Sequence, residues 1–544
     1  MSKSLLSEFE PPVILVAASL KQSKHSKNVV RETVLRQIFA ASLASSYHIV
    51  FGISLAYSAI LNPELSKNTT EIQTTEPERS WVASVLTLAV PVGAPLGGIL
   101  MDNFGRLNTV RIASIPAVIG WIMIATSSSL WMLIAGRICT GLASALGTGP
   151  AIVYMTEIAR SDIRGSLISF APAYTSLGMV LAYIKGWAFG WRMTAWMCVA
   201  YSIAPFILIT FIPESAVWLI SKGKNEKAKK SLQWFTISRP DPTEEGGKTL
   251  AEIQFEQLKE ANNRKIAADQ NKKGVTGVLK AFLKPTGYKP LLILMGMFIF
   301  QQFSGIYITL FYSVEFFQEV GTDINPYLSS IFIGIVRAVM SVVNTYMLKT
   351  FHRRPLIVWS SLGMGVCMLV SGLFTHWIKT GVTSMNWIPV IAVMLYVVAS
   401  MIGLLSIPWT MTAELFPIEI RGVAHSWVYS AAYLFMFFSV QNYHKLEEAC
   451  HGVAGVQWFF AAVSIGGLIY SLLFLPETHG YELSEIEDYF KENTVYLCSK
   501  KKSTDSRKNG YPHRRPSGEI VRRNTLKTVT EDCADQNEKL LVRS

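Results

Sequence analysis

Charge is what this chain has least of. Asp, Glu, Lys and Arg make up only 16% of its 544 residues, while half are hydrophobic. With a mean hydropathy of +0.31, it carries more apolar surface than a soluble domain can bury, so most of it is expected to face lipid. Cysteine is also scarce. The six thiols, Cys139, Cys198, Cys367, Cys450, Cys498 and Cys533, show no paired spacing, which gives no basis for a disulfide framework or a metal site. Nothing has the form of a phosphate-binding loop or an activated nucleophile, so neither a cofactor nor an enzyme activity is expected. The glycines at 141, 147 and 149 suit close helix packing instead. Residues 1–35 are too long, polar and mixed in charge for a signal peptide, and the first apolar run is expected to act as its own insertion signal.

What the chain does have is long apolar runs. Twelve are long enough to span a bilayer, at roughly 37–60, 81–101, 108–128, 131–155, 166–186, 191–212, 291–314, 327–348, 355–376, 387–410, 423–443 and 455–475. Arg106, Arg111, Arg160, Arg164, the Lys-rich loop at 222–289, Arg353 and Arg354 fall on one side of them; Glu64, Glu71, Glu76, Glu78, Glu315, Glu319 and Asp323 fall on the other. The positive-inside rule then places both termini in the cytoplasm, and the expected location of this multi-pass protein is the plasma membrane. Asn68-Thr69-Thr70, in the first outer loop, is a legal glycosylation sequon in agreement with that topology. The expected organisation is a cytoplasmic tail (1–35), a six-helix bundle (36–212), a cytoplasmic loop with surface helices (213–289), a second six-helix bundle (290–476) and a basic tail (477–544). A helical stretch from Leu250 to Lys265, with Ile253, Phe255 and Leu258 among alternating charges, is expected to lie over the cytoplasmic mouth.

The formal charge of +12 does not point to nucleic acid. Residues 491–544 hold 13 Lys/Arg against 7 Asp/Glu, half of the surplus in one tail, and a basic segment beside a membrane is drawn to anionic headgroups. Ser517 and Thr525 follow Arg pairs there, where phosphorylation would switch that charge.

One phrase occurs twice. Glu157 precedes Arg164-Gly165 by seven residues, and Glu414 precedes Arg421-Gly422 by seven. Each run of helices then closes on a related tripeptide, Pro213-Glu214-Ser215 and Pro476-Glu477-Thr478; the first phrase recurs after 257 residues and the tripeptide after 263. Two diverged hydrophobic halves are the signature of a secondary transporter whose bundles rock about a midplane site.

Gly98-Ile-Leu-Met-Asp102-Asn-Phe-Gly105-Arg106, between the second and third runs, resembles the signature loop of the major facilitator superfamily. Gly136-Arg137, Tyr154-Met-Thr-Glu157, Arg164-Gly165, Pro213-Glu214-Ser215, Gln301-Gln302-Phe-Ser304-Gly305-Ile306, Ile407-Pro408-Trp409, Ala413-Glu414-Leu415-Phe416-Pro417 and Pro476-Glu477-Thr478 resemble the sugar porter family within it. The look is that of the insect facilitated trehalose transporters. The resemblance covers about residues 36–490 and implies an all-α membrane protein of twelve helices in two pseudo-symmetric six-helix bundles, transporting a sugar by alternating access.

The same resemblance implies a gate. Asp102, Arg106, Glu157, Arg164 and Glu214 in the first half, and Arg353, Arg354, Glu414, Arg421 and Glu477 in the second, would form ion pairs on the cytoplasmic face. Pairs that close in one state and break in another bias a two-state equilibrium. The second copy of the signature loop has decayed to Lys349-Thr-Phe-His352-Arg353-Arg354, without its acid, and a weaker second lock is expected.

For substrate, Gln301, Gln302 and Trp409 match sugar-binding positions, where uncharged amides and indoles hydrogen-bond hydroxyls. Other family groups are replaced: Tyr307, Pro172, Arg337, Met401 and Ala432-Tyr433 stand where amides, a carboxylate and an Asn-Trp pair are usual. Arg337 departs furthest. A guanidinium deep in a span must line water, find a pair or bind an anion, so two readings stand: a contact to an anionic or strongly polar substrate, or satisfaction by backbone and water. The first run has Phe51-Gly52-Ile53-Ser54 where proton-driven relatives carry an aspartate, and His48 reads as a packing residue. Facilitated, uncoupled transport of trehalose or a hexose is therefore expected. The rivals are an organic-anion or zwitterion carrier built on Arg337, and a sugar sensor that barely transports.

Overall fold

The computed structural model describes residues 24–495 apart from 68–70, 161, 237–248, 271–279, 321–323, 418–419, 482 and 493–494. Asn68, Ser517, Thr525 and the basic tail beyond residue 495 lie outside the described residues. Among the latter there are helices and turns but no strands. Eleven helical runs are long and apolar enough to cross a membrane, and the fifth of them, Arg164–Phe211, is 48 residues long. Gly190, at φ 70° and ψ 172°, divides that run into two helices, which gives the twelve expected. We label them α1 (Arg31–Leu65), α2 (Glu76–Phe104), α3 (Arg106–Ala125), α4 (Leu130–Ile158), α5 (164–189), α6 (191–211), α7 (Pro285–Phe311), α8 (Pro326–Thr350), α9 (Arg353–Lys379), α10 (Ile388–Thr412), α11 (Arg421–Gln441) and α12 (Val453–Phe474).

Local chemistry sets the helix starts. Glu78 accepts from the Thr75 amide and hydroxyl at 2.7 and 2.8 Å, a capping box ahead of α2. Asn325 caps α8 through the Tyr327 amide at 2.9 Å, and Pro326 takes the first helical position, where no amide is needed. Val92, Ile99, Ile115 and Val342 are more than half exposed, as lipid-facing positions must be.

Packing repeats between halves. α2 packs on α4, α3 on α4, and α1 on α5; likewise α8 packs on α10, α9 on α10, and α7 on α11. The halves meet through α2 against α11 and α5 against α8, two contacts that exchange under a shift of six helices. That exchange is what a pseudo-twofold axis requires. Close approach depends on small residues: a Cβ on Gly52 would lie 1.9 Å from the Thr175 carbonyl oxygen, and one on Gly178 would lie 2.2 Å from that of Ile49. α1 and α5 therefore touch backbone to backbone.

The loop between halves carries helices Ala216–Ser221, Asn225–Phe235 and Leu250–Gln270. Phe255 is buried with Trp218, Leu219 and Leu232, and Leu258 packs against them. The surface helix expected from Leu250 to Lys265 thus continues to Gln270 and rests on the short helix after α6.

Candidate functional site

Among the described residues, two membrane helices each lose four consecutive helical residues. α7 is interrupted at Ser304–Tyr307, where Gly305 takes φ +91°, and α10 is interrupted at Gly403–Ser406. Each break is held by the other helix. The Gln301 side-chain amide donates to the Leu404 and Leu405 carbonyls at 2.7 and 3.0 Å, and the Tyr396 hydroxyl donates to the Ser304 carbonyl at 2.8 Å. Ser360 of α9 adds a third tie, accepting from the Leu404 amide at 2.9 Å and donating to the Ala399 carbonyl at 2.6 Å. Unwound backbone inside a membrane protein survives only where protein or water satisfies it, and these side chains do so. Such paired breaks, one from each of two neighbouring helices, are where secondary transporters build binding sites.

This geometry divides the glutamine pair. Gln301 is fully spent, its Oε1 also accepting from the Gln302 amide at 3.2 Å. Gln302 keeps its own Oε1 without a partner. Trp409, half-buried just past the α10 break, heads an aromatic group: Phe298 at 4.6 Å, Tyr429 at 5.4 Å and Tyr433 at 5.9 Å between ring centroids. Tyr307 ends the α7 break and faces Trp409. Arg337 of α8 is 8% exposed, with Tyr307, Tyr183 and Tyr396 as the groups acting on its charge. Gln302, Tyr307 and Trp409 thus sit at the two breaks, Arg337 lies on α8 within electrostatic reach of Tyr307 and Tyr396, and Gln301 acts as a brace. Tyr396 and Tyr183 carried no local sequence signal. The α10 break did, as Gly403 and Pro408 within an apolar run.

On the basic face, the repeat is legible atom by atom. Arg106 holds Glu157 through Nε at 3.0 Å and a terminal nitrogen at 2.7 Å, with Asp102 at 3.7 Å. Arg353 holds Glu414 at 3.2 Å, and the Thr478 hydroxyl donates to the other Glu414 oxygen at 2.6 Å. Arg106 also donates to the Met101 carbonyl and Arg353 to the Leu348 carbonyl, both five residues back. Arg164 and Arg421 likewise donate to the carbonyls of Ala159 and Phe416, at 3.5 and 3.2 Å. Here these two are anchors at helix starts rather than partners of the acids. Glu214 accepts from the Leu107 amide at 3.0 Å, and Glu477 accepts from the Arg353 and Arg354 amides at 3.0 and 3.1 Å. Both carboxylates therefore cap the helix that follows the signature loop, α3 or α9. Burial pushes the Glu214 carboxyl up, and those amide donors oppose it. Gly105 needs φ +104° and no side chain, since a Cβ would meet Glu214 at 2.5 Å. In the second copy His352 has φ −65°, so its turn requires no glycine. Arg353, Glu414, Arg421 and Thr478 border a cavity of about 280 Å³.

The opposite face is closed between halves. Ser84 donates to Gln441 at 2.5 Å, Trp81 lies 5.6 Å from Phe437, and Tyr183 donates to the Leu310 carbonyl at 3.1 Å. His444, beyond α11, stands 3.8 Å from Glu76 of α2, 3.9 Å from Glu315 and 3.6 Å from Glu447. Burial raises the Glu315 carboxyl to about 7, with Arg79 and His444 opposing. Glu319 is raised by burial and by sharing a hydrogen bond with Glu447, against Lys379. A carboxyl whose closed-form pKa is raised favours closure fully below its ordinary value of 4.5 and loses that contribution as pH rises through about 7. Raising the pH on this face from 5 to 8 should therefore shift the protein toward opening there. Distances between spin labels placed across the interface would lengthen, and Glu315→Gln would blunt the change; a distance independent of pH would refute it.

Comparison with known proteins fits this geometry. The family model described as sugar (and other) transporter matches residues 37–490. This chain belongs to the sugar transporter family. The family is one of membrane carriers, not enzymes. The facilitated trehalose transporter Tret1 of Culex quinquefasciatus is 30% identical to this transporter over 461 residues, covering 84% of this chain and 86% of the relative. That of Polypedilum vanderplanki is 29% identical over 457 residues, covering 84% and 88%. Among solved structures, the xylose transporter XylE from E. coli in its inward-open form superposes with a TM-score of 0.67 at 21% identity, over 83% of this chain and 99% of that one. That likeness is one of fold, the major facilitator fold with two six-helix halves.

Proposed function

We propose that this sugar transporter carries a neutral sugar down its gradient, trehalose first and a hexose second, from a site at the α7 and α10 breaks. The observation that carries the reading is the pair of broken helices braced against each other, with a free amide oxygen (Gln302) and an indole (Trp409) beside them. The trehalose assignment leans on the names of the two relatives. Uncoupled transport is supported by α1, where Ser54 donates to the Val50 carbonyl in place of an acid and His48 is enclosed at 3% exposure. With the basic loops in the cytoplasm of a plasma-membrane protein, Arg106–Glu157 and Arg353–Glu414 are the inner ion pairs, each within one half, and the His444 cluster faces outside. The basic tail then lies against anionic lipid, with Ser517 and Thr525 as phosphate acceptors and Asn68 as the glycan site in the first outer loop.

Tracer uptake in cells without their own sugar carriers tests this. Saturable uptake of trehalose that unlabelled trehalose suppresses is the expected result. Surface-expressed protein that takes up neither trehalose nor glucose would remove the reading.

A further inference from the structure

Among the described residues, two arginines are buried within the membrane helices, and the protein treats them differently. Arg137 of α4 is fully buried and donates to the Val82 carbonyl at 3.2 Å, the Ser54 carbonyl at 2.8 Å and the Ser58 hydroxyl. Its charge is spread over three acceptors from two neighbouring helices. Arg337 of α8 is 8% exposed, yet none of its nitrogens has a hydrogen bond or ion pair with a described residue, and its Nε is wholly enclosed. The groups acting on it are three phenols, from α5, α7 and α10, with no carboxylate among them. Two of those phenols are committed as donors elsewhere, Tyr183 to Leu310 and Tyr396 to Ser304. They do not neutralise a cation.

An enclosed guanidinium without a counter-charge is costly within a membrane helix. A planar fork of donors is shaped for a carboxylate. Its location adds the second condition. Tyr396 bonds the α7 break and Tyr307 ends it, and both lie within electrostatic reach of Arg337, which places it in the neighbourhood of Gln302 and Trp409. We propose that Arg337 is an anion subsite in the transport path, occupied by one monovalent anion. The source is either the carboxylate of a sugar acid, whose hydroxyls would reach Gln302 and Trp409, or chloride from solution bound beside a neutral sugar. The placement in the transport path rests on the reading of the breaks as the sugar site; occupation by an anion does not.

The test uses purified full-length protein in detergent and chloride-free methanesulfonate buffer, titrated with glucuronate, glucose or chloride while its thermal midpoint is followed. Glucuronate or chloride should raise the midpoint of the native protein. Arg337→Gln should weaken half-saturation at least tenfold, and Arg337→Lys, which keeps the charge, should retain a response. A response to glucuronate alone assigns the anion to the substrate. A response to chloride, with trehalose uptake that falls when chloride is replaced, assigns it to solution. No anion response in the native protein, or an equal response in Arg337→Gln, overturns the proposal. An intact anion response without uptake of either neutral sugar would count against the sugar reading and leave the subsite standing.

Discussion

Gly178→Val should leave almost no folded transporter. The added Cβ would sit 2.2 Å from the Ile49 carbonyl oxygen, and the reciprocal position, Gly52, would place its own 1.9 Å from that of Thr175. In both cases the obstacle is backbone, which cannot swing aside as a side chain can, so α1 and α5 must separate along their whole crossing. Overpacking a core usually costs about 1–3 kcal/mol, and helix association in lipid depends on close contact of this kind. Gly178→Ala should lower the thermal midpoint clearly, and Gly178→Val should abolish the monodisperse peak on size exclusion. Gly149→Ala, where nothing lies within 4 Å of a new Cβ, is the control. Native yield from Gly178→Val would show that the two helices do not cross as described.

Glu157→Gln should slow transport at least tenfold with little change in sugar affinity. Arg106 and Glu157 are 12% and 15% exposed and share a two-pronged contact, so removing the acid leaves Arg106 with Asp102, 73% exposed and 3.7 Å away, as its one acidic partner beside the Met101 carbonyl. Breaking a buried pair costs about 3–5 kcal/mol; partial exposure brings this nearer 1–2 kcal/mol, still a factor of ten in a conformational equilibrium. Glu414→Gln should act in the same direction by a smaller factor, because the contact is single-pronged at 3.2 Å with Glu414 30% exposed. Lys349 stands where the repeat would place the partner of Asp102. Lys349→Asp would therefore give Arg353 the second acid that Arg106 has, and should slow exchange by stabilising the state in which Arg353 and Glu414 are paired. Initial exchange rates normalised to surface protein measure all three; Glu157→Gln at more than half the native rate would mean that the pair only anchors helix ends.

The spacing of Glu157 to Arg164 and of Glu414 to Arg421 was enough to reveal two halves, because a repeat is written along the chain and needs no contacts to be seen. Helix boundaries were legible for a similar reason: apolar runs end at charges, and Gly190 marks the α5–α6 junction that backbone hydrogen bonding alone would run together. The fates of individual polar groups were not legible. Gln301 looks like a ligand contact because its motif is intact, yet its amide reaches carbonyls more than a hundred residues away. Arg164 and Arg421 look like gate partners, yet each bonds a carbonyl five residues back. The phenols around Arg337 come from three helices and share no local signature. Which of two acceptors a buried donor takes is decided by tertiary distance, and that distance is absent from the sequence.

The measurement that bears most directly on a facilitated carrier is counterflow in proteoliposomes loaded with unlabelled trehalose and given tracer outside. A transient overshoot of tracer is expected, followed by a final internal-to-external ratio of one whether or not a pH gradient is imposed. Proton binding at the cluster of Glu315, Glu319, His444 and Glu447 would alter the speed of approach but not that endpoint. A ratio that rises above one with the proton gradient would contradict uncoupled transport, and the absence of any overshoot would contradict alternating access to a trehalose site.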